Sequence, residues 1–223
     1  MSPRVLVSMV TFNSARYLDP CLASLEAQTC PDFAVSLWDN ASTDATTEII
    51  AQHANLFDAT HFSKKNVGFC SAHNRLIAST ASDYVLVMNP DVMLDARFIE
   101  TLLLAMDNDL SAGSATGKLW RWRMVAASPE EKMLDTTGIY FTPNQRHLDR
   151  GSGEPDQGQY ETKEYVFGAS GAAAFYRRVM LDAVKAGREY FDESFFAYRE
   201  DADLAWRAQW LGWRCLYVPQ ATG

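Results

Sequence analysis

The stretch VLVMNPDVML, residues 85–94, carries an apolar run directly into Asn89-Pro90-Asp91. An uninterrupted apolar run of this kind indicates a strand buried on both faces, which is typical of a parallel sheet covered by helices. Pro90 has no amide donor, so it fits the point where the hydrogen-bond ladder of the strand has ended. Asp91 therefore lies at the mouth of a buried strand, where either a turn or a metal or ligand site would explain it.

The composition is that of a folded chain and argues against one class of function. The chain has 223 residues, of which 48% are hydrophobic and 22% charged, so it can bury a substantial core. A net charge of −8 argues against a general nucleic-acid binder held by phosphate contacts. The apolar run near the N-terminus is too short for a signal peptide, and no stretch reaches the roughly 18 apolar residues of a membrane span. We therefore expect a cytoplasmic protein with no transmembrane segment.

The cysteines and histidines give no sign of a zinc site. The four cysteines form no CxxC pair, and the four histidines form no pair with metal-ligand spacing. Scattered free thiols are typical of a reducing compartment.

Strand-like and helix-like segments alternate through the first half of the chain. Strands are predicted at residues 4–10, 33–38, 60–62 and 84–88. Helices are predicted at residues 15–28, 44–53, 71–79 and 95–106, the last capped near Asp95. This alternation with short loops predicts an α/β fold with a mainly parallel sheet flanked by helices.

The second half of the chain is less regular. Glycines and turn residues are dense from residue 138 to 158, and GSGEPDQGQ at 151–159 indicates a loop or hairpin tip. Helical patterns return at 179–185 and 200–211, where Gly212 suits the C-terminal cap, and a strand-like run follows at 215–218. We predict one domain over residues 1–223, divided into halves at 1–110 and 111–223, and expect a further element after Gly223.

Short polar side chains follow four successive predicted strands. These clusters are Thr11-Phe12-Asn13, residues 39–44, residues 65–69 and Asn89-Pro90-Asp91. Each one alone fits turn or helix-cap chemistry, but four at one edge favour a ligand site, since open α/β sheets bind ligands at the carboxyl ends of their strands. The glycine-rich phosphate loops are absent. A phosphate ligand would need other positive charge, from a divalent metal on Asp91 or from Lys65 and Arg75.

Six segments match the pattern of one family in order and spacing over residues 4–218. They are VSMVTFNSARYLDPCLASL (7–25), WDNASTD (38–44), NVGFCSAHN (66–74), MNPDV (88–92), GASGAAAFYRR (168–178) and FFAYREDADLAWRAQWLGWR (195–214). On these segments the chain resembles the family 2 glycosyltransferases with the GT-A fold, and within them the rhamnosyltransferase-like branch. The resemblance implies a nucleotide-sugar-binding half at 1–110 and an acceptor-binding half at 111–223.

The resemblance also implies the residues of the donor site. Thr11, Phe12 and Asn13 would line the nucleotide pocket, and Asp39 would accept a hydrogen bond from a pyrimidine ring, which favours a UDP- or dTDP-sugar. Further residues beside the nucleotide would be Asn66, Gly68, Asn74 and Asn89. Asp91 would bind Mg²⁺ or Mn²⁺ that holds the diphosphate. The family pattern has an aspartate where this chain has Asn89, and an amide offers a neutral oxygen instead of a charge.

Glu200 and Asp201 match the acidic pair of the family. The resemblance implies direct displacement with inversion, in which Asp201 is the base for the acceptor hydroxyl and Glu200 orients the acceptor or the base. The pair lies at the start of a predicted helix, whose positive end favours ionised carboxylates. An acidic first turn that only stabilises the helix would produce the same pattern. Asp203 points elsewhere on this helix and is expected to be structural or to pair with Arg207.

The function implied is transfer of rhamnose or another hexose to a hydroxyl of a saccharide acceptor in cell-surface polysaccharide synthesis. Such acceptors are often lipid-linked, which would place the protein at the inner face of the cytoplasmic membrane through a peripheral contact. One alternative is a non-catalytic module that binds a nucleotide sugar or glycan. A nucleotidyltransferase ranks last, because residues 8–14 lack the glycine- and arginine-rich loop it needs. The WRWR segment at 120–123 suits a sugar face, a membrane headgroup or a half-packed strand.

Overall fold

The first half of the chain alternates strands and helices as the sequence predicts. The computed structural model describes residues 3–122 and 132–223. The strands of this half are β1 (Val5–Thr11), β2 (Phe33–Asp39), β3 (Ala59–Phe62) and β4 (Tyr84–Met88). The helices are α1 (Ala15–Glu26), α2 (Thr46–Gln52), α3 (Phe69–Ala78) and α4 (Phe98–Asp107), with a short 3₁₀ turn at Ala54–Leu56.

The second half contains shorter strands and two helices. The strands are β5 (Ala112–Trp120), β6 (Leu134–Thr136), β7 (Ile139–Phe141), β8 (His147–Asp149), β9 (Glu164–Val166), β10 (Ala173–Arg177) and β11 (Arg214–Thr222). The helices are α5 (Arg178–Val184) and α6 (Glu200–Trp210), preceded by a 3₁₀ turn at Glu193–Phe195. Gly212 follows α6 with φ of 81°, as the cap prediction requires.

Within the described residues, one nine-stranded sheet runs in the order β3-β2-β1-β4-β10-β5-β11-β9, with β6 added to β5. Strands β1 to β4 pair in parallel, so their carboxyl ends share one edge. Strand β10 enters antiparallel between β4 and β5, and β11 pairs in parallel with β5. Strands β7 and β8 form a separate hairpin. The fold is α/β with a mainly parallel sheet, as the sequence predicts.

Helices cover both faces of this sheet, which explains why its central strands are apolar throughout. All five residues of β4 are buried. One buried cluster joins the sheet to α1, α2 and α4, and a second joins it to α3, α5 and α6. Within β1, Val5 and Val7 face the first cluster while Leu6 faces the second, as the two-residue period of a strand dictates. All four cysteines are free and buried among the described residues.

The boundary of α4 differs from the sequence prediction. The helix begins at Phe98, three residues after the expected cap at Asp95. The backbone of Asp95 is already engaged, because its carbonyl accepts from Phe98 N–H and its N–H donates to the Thr222 carbonyl, each at 2.9 Å. Asp95 therefore belongs to a turn tied to β11, which sequence-local cap signals do not reveal.

The aromatic and basic WRWR segment lies partly at the end of β5. The Trp120 ring nitrogen donates to Asp156 at 2.8 Å, and Trp122 meets Tyr17 edge-to-face at 5.4 Å between ring centroids. Arg123 lies outside the described residues, so the choice among the three interpretations of this segment stays open.

Candidate active site

The polar ends of β1 and β2 lie side by side at the carboxyl edge of the sheet. Thr11 pairs with Asp39 in the register of the two strands, and its hydroxyl donates to the Asp39 carboxylate at 2.8 Å. Ser42 adds two hydrogen bonds to the same carboxylate, from its N–H at 2.9 Å and from its hydroxyl at 2.6 Å. Asp39 is only 2% exposed. It is therefore a buried acceptor held in one orientation by three donors.

The loop after β1 docks onto the loop after β2. Asn13 adopts a left-handed backbone with φ of 51°, a conformation that asparagine tolerates better than most residues. Its N–H donates to the Ser42 hydroxyl at 2.9 Å, and its side-chain oxygen accepts from Thr43 N–H at 2.8 Å. Phe12 beside it is 50% exposed. The two loops thus form a fixed rim that leaves one aromatic ring facing outward.

The loop before α3 is joined to the end of β2 through Asn40. The Asn40 amide donates to the Gly68 carbonyl at 3.1 Å and accepts from Val67 N–H at 3.1 Å. Asn66 closes the loop by accepting from Gly68 N–H at 2.9 Å. The ends of three parallel strands are therefore tied together by side-chain amides and hydroxyls, as the clustered polar residues predict.

The Asn74 amide is directed at another part of the chain. Its oxygen accepts from the N–H groups of Tyr190 and Phe191 at 3.0 and 2.9 Å. Its nitrogen donates to the Phe191 carbonyl at 2.8 Å and to Glu193 at 3.2 Å. Asn74, for which the resemblance implies a place beside the nucleotide, uses both ends of its amide within the protein and fixes the segment that precedes α6.

Asn89-Pro90-Asp91 follows β4 at the same edge. Asn89 donates its N–H to the Ala172 carbonyl at 2.9 Å and lines the cleft described below, while Asp91 is exposed. Burial and the neighbouring Asp91 charge raise the pKa of the Cys21 thiol to about 12, so this cysteine stays protonated beneath the turn. The turn thus carries one exposed carboxylate, at Asp91, and one amide side chain that lines the cleft, at Asn89.

This donor set meets the needs of a divalent metal only in part. Within residues 3–122 and 132–223, no group of three or more His, Cys, Asp or Glu side chains could hold a metal ion. Mg²⁺ commonly binds one or two carboxylates and completes its shell with substrate phosphates and water. Asp91 supplies one carboxylate, which is the fewest such an ion commonly uses when a diphosphate and water supply the remaining ligands.

An open cleft of about 440 Å³ lies between the strand ends and the start of α6. Its wall combines four parts of the chain: the ligand edge of the sheet, the β7–β8 hairpin, the glycine turn before β10 and the segment before α6. The lining residues are Phe69, Asn89, Ile139, His147, Leu148, Asp149, Ser170, Gly171, Ala172, Ala197, Tyr198, Arg199, Glu200 and Asp201.

Glu200 faces this cleft from the first turn of α6. It is 6% exposed, and its Oε2 has no hydrogen-bond partner among the described residues. Burial, with a smaller contribution from the Asp201 charge, raises the pKa of Glu200 to about 7. A carboxyl with this pKa is partly protonated at neutral pH, which is a common property of groups that transfer or share protons.

Asp201 is held more firmly than Glu200. Its Oδ2 accepts from Gly171 N–H at 2.9 Å, and its Oδ1 accepts from Ala202 N–H at 2.8 Å. Burial raises the pKa of Asp201, against the lowering effect of these two N–H groups. The positive helix end alone would lower the pKa of both carboxyls, so that expectation is wrong in direction because burial outweighs it.

Asp203 points away from the cleft, as predicted. It accepts from Arg207 Nε at 2.9 Å, and the two other guanidinium nitrogens of Arg207 donate to the carbonyls of Val184 and Tyr190 at 2.8 Å each. This ion pair fastens α6 to the chain that precedes it and takes no part in the cleft.

Several cleft residues escape sequence reasoning. His147 and Asp149 lie on the three-residue strand β8, which is too short for a periodic signal. Tyr198 and Arg199 adopt positive φ values without being glycine, so no turn rule marks them. For His147 the sequence predicts no metal role, and the structure places it in the cleft wall instead.

The family model described as "Glycosyl transferase family 2" matches residues 6–184. A curated relative, the N-acetylglucosaminyl-diphospho-decaprenol L-rhamnosyltransferase of Mycobacterium tuberculosis, is 30% identical over 238 residues, which covers 96% of this chain and 73% of the relative.

Solved structures of similar fold include two glycosyltransferases. A mannosyltransferase from Pyrobaculum calidifontis in complex with GDP-Man and Mn²⁺ has a TM-score of 0.68 at 18% identity, covering 100% of this chain and 56% of that one. Residues 1–349 of TarS from S. aureus in complex with UDP give a TM-score of 0.64 at 19% identity, covering 99% of this chain and 60% of that one. The present chain therefore spans less than two thirds of each solved chain, and at these identities the likeness concerns the fold.

Among the described residues, every helix is too short or too polar to cross a membrane.

Proposed function

Because the chain belongs to glycosyl transferase family 2, we propose that it is an inverting, metal-dependent enzyme that moves a sugar from a UDP- or dTDP-sugar to a hydroxyl of a saccharide acceptor. The observation that carries the proposal is the pair of buried Glu200 and half-buried Asp201, which shares one cleft with Asn89 at the ligand edge of the parallel strands. In this proposal the cleft would bring the sugar of the donor close to the carboxylate that acts as base.

The nucleotide would bind where the loops after β1 and β2 meet. Asp39 is a fixed acceptor with lone pairs beyond those its three protein donors use, so it can take a hydrogen bond from the ring N–H of uracil or thymine. Phe12 offers an exposed ring for stacking. Thr11 holds the Asp39 carboxylate, and Asn13 holds the loop that carries Phe12. The loop of Asn66 and Gly68, which is bonded to Asn40, would border the nucleotide on a third side.

The diphosphate would extend from this pocket toward Asn89 and Asp91. A divalent cation, when bound, supplies positive charge that stabilises the departing nucleoside diphosphate. Asp91 would hold it with its carboxylate, and Asn89 would contribute a neutral oxygen nearby. Lys65 is exposed on the adjoining loop and Arg75 lies 5.1 Å over the Trp38 ring, so these two cations are secondary candidates for offsetting phosphate charge.

The chemical step would use Asp201 as base. Its carboxylate would take the proton of the acceptor hydroxyl while that oxygen attacks the anomeric carbon, and the bond from this carbon to the diphosphate would break. Glu200, with a pKa of about 7, is partly protonated at neutral pH, which favours an ionised Asp201 beside it. The Gly171 and Ala202 N–H groups aim the carboxylate into the cleft.

The sugar and the acceptor are proposed from the mycobacterial relative. That protein is named a rhamnosyltransferase acting on N-acetylglucosaminyl-diphospho-decaprenol. We therefore propose rhamnose as the first donor sugar to test and a lipid-linked saccharide as acceptor, in cell-surface polysaccharide synthesis. Such an acceptor would place the protein in the cytoplasm, in peripheral contact with the inner face of the cytoplasmic membrane.

A thermal-shift panel tests the donor site. UDP, dTDP, GDP, UDP-sugars and dTDP-rhamnose would be added with and without Mn²⁺, because a ligand that binds only the folded state raises the melting temperature. We expect a shift of several degrees with the pyrimidine nucleotides and Mn²⁺, lost in an Asp91→Asn variant. If UDP and dTDP both fail to shift the melting temperature with Mn²⁺ present, the donor site is misplaced. Binding with no turnover would favour the non-catalytic module.

A further inference from the structure

Residues 196–199 form a tight left-handed turn that leads directly into Glu200 and Asp201. Phe196, Tyr198 and Arg199 have φ values of 56°, 70° and 74° although none is glycine. The N–H of Ala197 donates to the Phe195 carbonyl at 2.5 Å across Phe196, whose ψ is −59°. Such a three-residue turn is rare and strained for an L residue, and it persists only where its surroundings hold it.

The start of α3 holds this turn by its backbone. The Phe196 carbonyl accepts from Phe69 N–H at 2.7 Å and from Cys70 N–H at 3.4 Å. The first N–H groups of a helix have no partner within the helix, and Gly68 at the cap position offers no side chain to accept from them. The Phe196 carbonyl therefore caps α3 from a segment more than a hundred residues away in the sequence.

Gly68 leaves room for this contact and for nothing larger. A Cβ at this position would lie 2.7 Å from the Phe196 ring and 2.8 Å from the Phe196 carbonyl oxygen, and the φ of 87° already disfavours any other residue. The carbonyl of Gly68 accepts from Asn40 at the polar end of β2. The close approach that glycine permits here is thus made by Phe196.

Helix α3 also fixes the chain that precedes the turn. The Asn74 amide, one helical turn further along, binds the backbone of Tyr190 and Phe191 through three hydrogen bonds of 2.8–3.0 Å. The segment from 190 to 196 is therefore anchored to α3 at both ends. Phe196 and Tyr198 remain 55% and 85% exposed, so little other packing defines the turn.

We propose that this contact is a latch, meaning the Phe196 carbonyl docked on Gly68 and Phe69, which sets the position of Glu200 and Asp201 relative to the donor. The inference rests on the proposed function and deepens it. Gly68 and Phe196 are then positioning residues that act through the carboxylates. The latch links the loop that would border the nucleotide to the base that would activate the acceptor, so its disturbance lowers kcat more than it weakens donor binding.

Three variants distinguish the effect of the backbone conformation at Phe196 on kcat from the effect of the Phe196 side chain. Glycine adopts the φ and ψ of Phe196 without strain, so Phe196→Gly should reduce kcat by less than about threefold. Proline fixes φ near −65°, so Phe196→Pro should break the turn and reduce kcat at least about tenfold. Gly68→Ala places a methyl group against the same carbonyl and should reduce kcat at least about tenfold as well.

The assay measures transfer from dTDP-rhamnose or a UDP-sugar to a short-chain N-acetylglucosaminyl-diphospho-prenol, alongside titration of UDP and dTDP with Mn²⁺. The latch predicts nucleotide Kd values within about threefold of wild type in the two Phe196 variants, with unchanged circular dichroism. Equal losses of kcat and nucleotide affinity in Phe196→Pro would show that the turn serves the nucleotide, which overturns the latch. Full kcat in Phe196→Pro would overturn it too.

The wild-type reaction separates this inference from the proposed function. If the wild type transfers sugar and both Gly68→Ala and Phe196→Pro keep their kcat, the latch alone is wrong. If the wild type transfers no sugar from any UDP- or dTDP-donor, the proposed function fails and the inference falls with it.

Discussion

The region proposed to bind the donor and the region proposed to bind the acceptor hold their carboxylates in opposite ways. On the donor side, Asp39 receives three hydrogen bonds from Thr11 and Ser42 and is fixed before any ligand arrives. On the acceptor side, Glu200 has an oxygen without a partner among the described residues, and burial raises the pKa of both Glu200 and Asp201. The protein supplies hydrogen-bond donors to Asp39 and to Asp201, whereas one oxygen of the buried Glu200 receives none from the described residues.

This difference matches the tasks proposed for the two sides. A side chain that recognises a nucleobase should be rigid, since loss of its orientation would reduce specificity for that nucleobase. A group that takes a proton should have a pKa closer to neutral, which burial provides at a cost in stability. The proposed donor site is therefore preorganised by hydrogen bonds. The proposed acceptor site instead buries carboxyl groups whose ionised forms would be more stable in water.

The largest effect is expected from removing the base. Asp201→Asn keeps the shape but cannot take a proton at neutral pH, and its single oxygen can accept from only one of the Gly171 and Ala202 N–H groups. Transfer should fall about 10²–10⁴-fold, the usual contribution of a general base, while UDP and dTDP affinity stays within about twofold. The measurement is kcat for sugar transfer beside nucleotide titration. Asp203→Asn is the matched control, because its carboxylate pairs with Arg207 outside the cleft. A similar loss in the control would contradict the assignment.

A smaller effect is expected from weakening the hydrogen bonds that hold Asp39. Asp39→Asn removes the charge and replaces the oxygen that accepts from the Thr11 and Ser42 hydroxyls with an NH₂ group, so it should cost about 1–3 kcal/mol of unfolding free energy and weaken pyrimidine nucleotide binding about tenfold. Urea denaturation and nucleotide titration give the two numbers. Asp58→Asn at the opposite end of β2 also disturbs a carboxylate that accepts from a backbone N–H, at Val35. It should lower stability with nucleotide affinity unchanged, and equal affinity losses would contradict the donor site.

The smallest effect concerns pH and stability. The pKa of Glu200 is raised from 4.5 to about 7 in the folded protein, so the folded state holds its proton more tightly than the unfolded chain does. This contribution is fully present below pH 4.5 and is lost as pH rises to about 7. Its upper bound is about 3 kcal/mol from the size of the shift.

The test compares variants across this pH range. Urea denaturation at pH 5 and pH 8 should show a smaller stability difference in Glu200→Gln than in wild type, because glutamine does not titrate. Glu48→Gln removes the same charge from an exposed position on α2 and should leave the difference as it is in wild type. An unchanged pH dependence in Glu200→Gln would show that Glu200 is hydrated in solution.

The sequence predicts strands β1, β2 and β4 and the meeting of the polar residues that follow them, because the determinants of these features are local. The runs that form β1, β2 and β4 are apolar and β-branched, and the Asn, Asp and Ser residues after them have few roles other than turns and ligand contacts. Their convergence follows from parallel pairing alone. Gly212 is a similar case, since a helix cap is read from adjacent residues.

The acceptor side depends on contacts between distant residues, which no local pattern records. Strand β10 lies antiparallel between β4 and β5, and this insertion carries Gly171 to the Asp201 carboxylate. The positive φ of Phe196 is imposed by α3, far away in the chain. The rise in pKa at Glu200 comes from burial that only the folded chain creates, so a prediction from the helix end alone gives the wrong direction.

The most direct test of the central claim is the anomeric configuration of the product. Wild-type protein would react with whichever UDP- or dTDP-sugar gives the largest thermal shift, in the presence of Mn²⁺ and a short-chain N-acetylglucosaminyl-diphospho-prenol, and proton NMR would read the new linkage. Direct attack by a hydroxyl that Asp201 activates predicts a linkage opposite in configuration to the donor. A product with the donor's own configuration would contradict Asp201 as a base for direct displacement, and no product from any donor would contradict the proposed reaction.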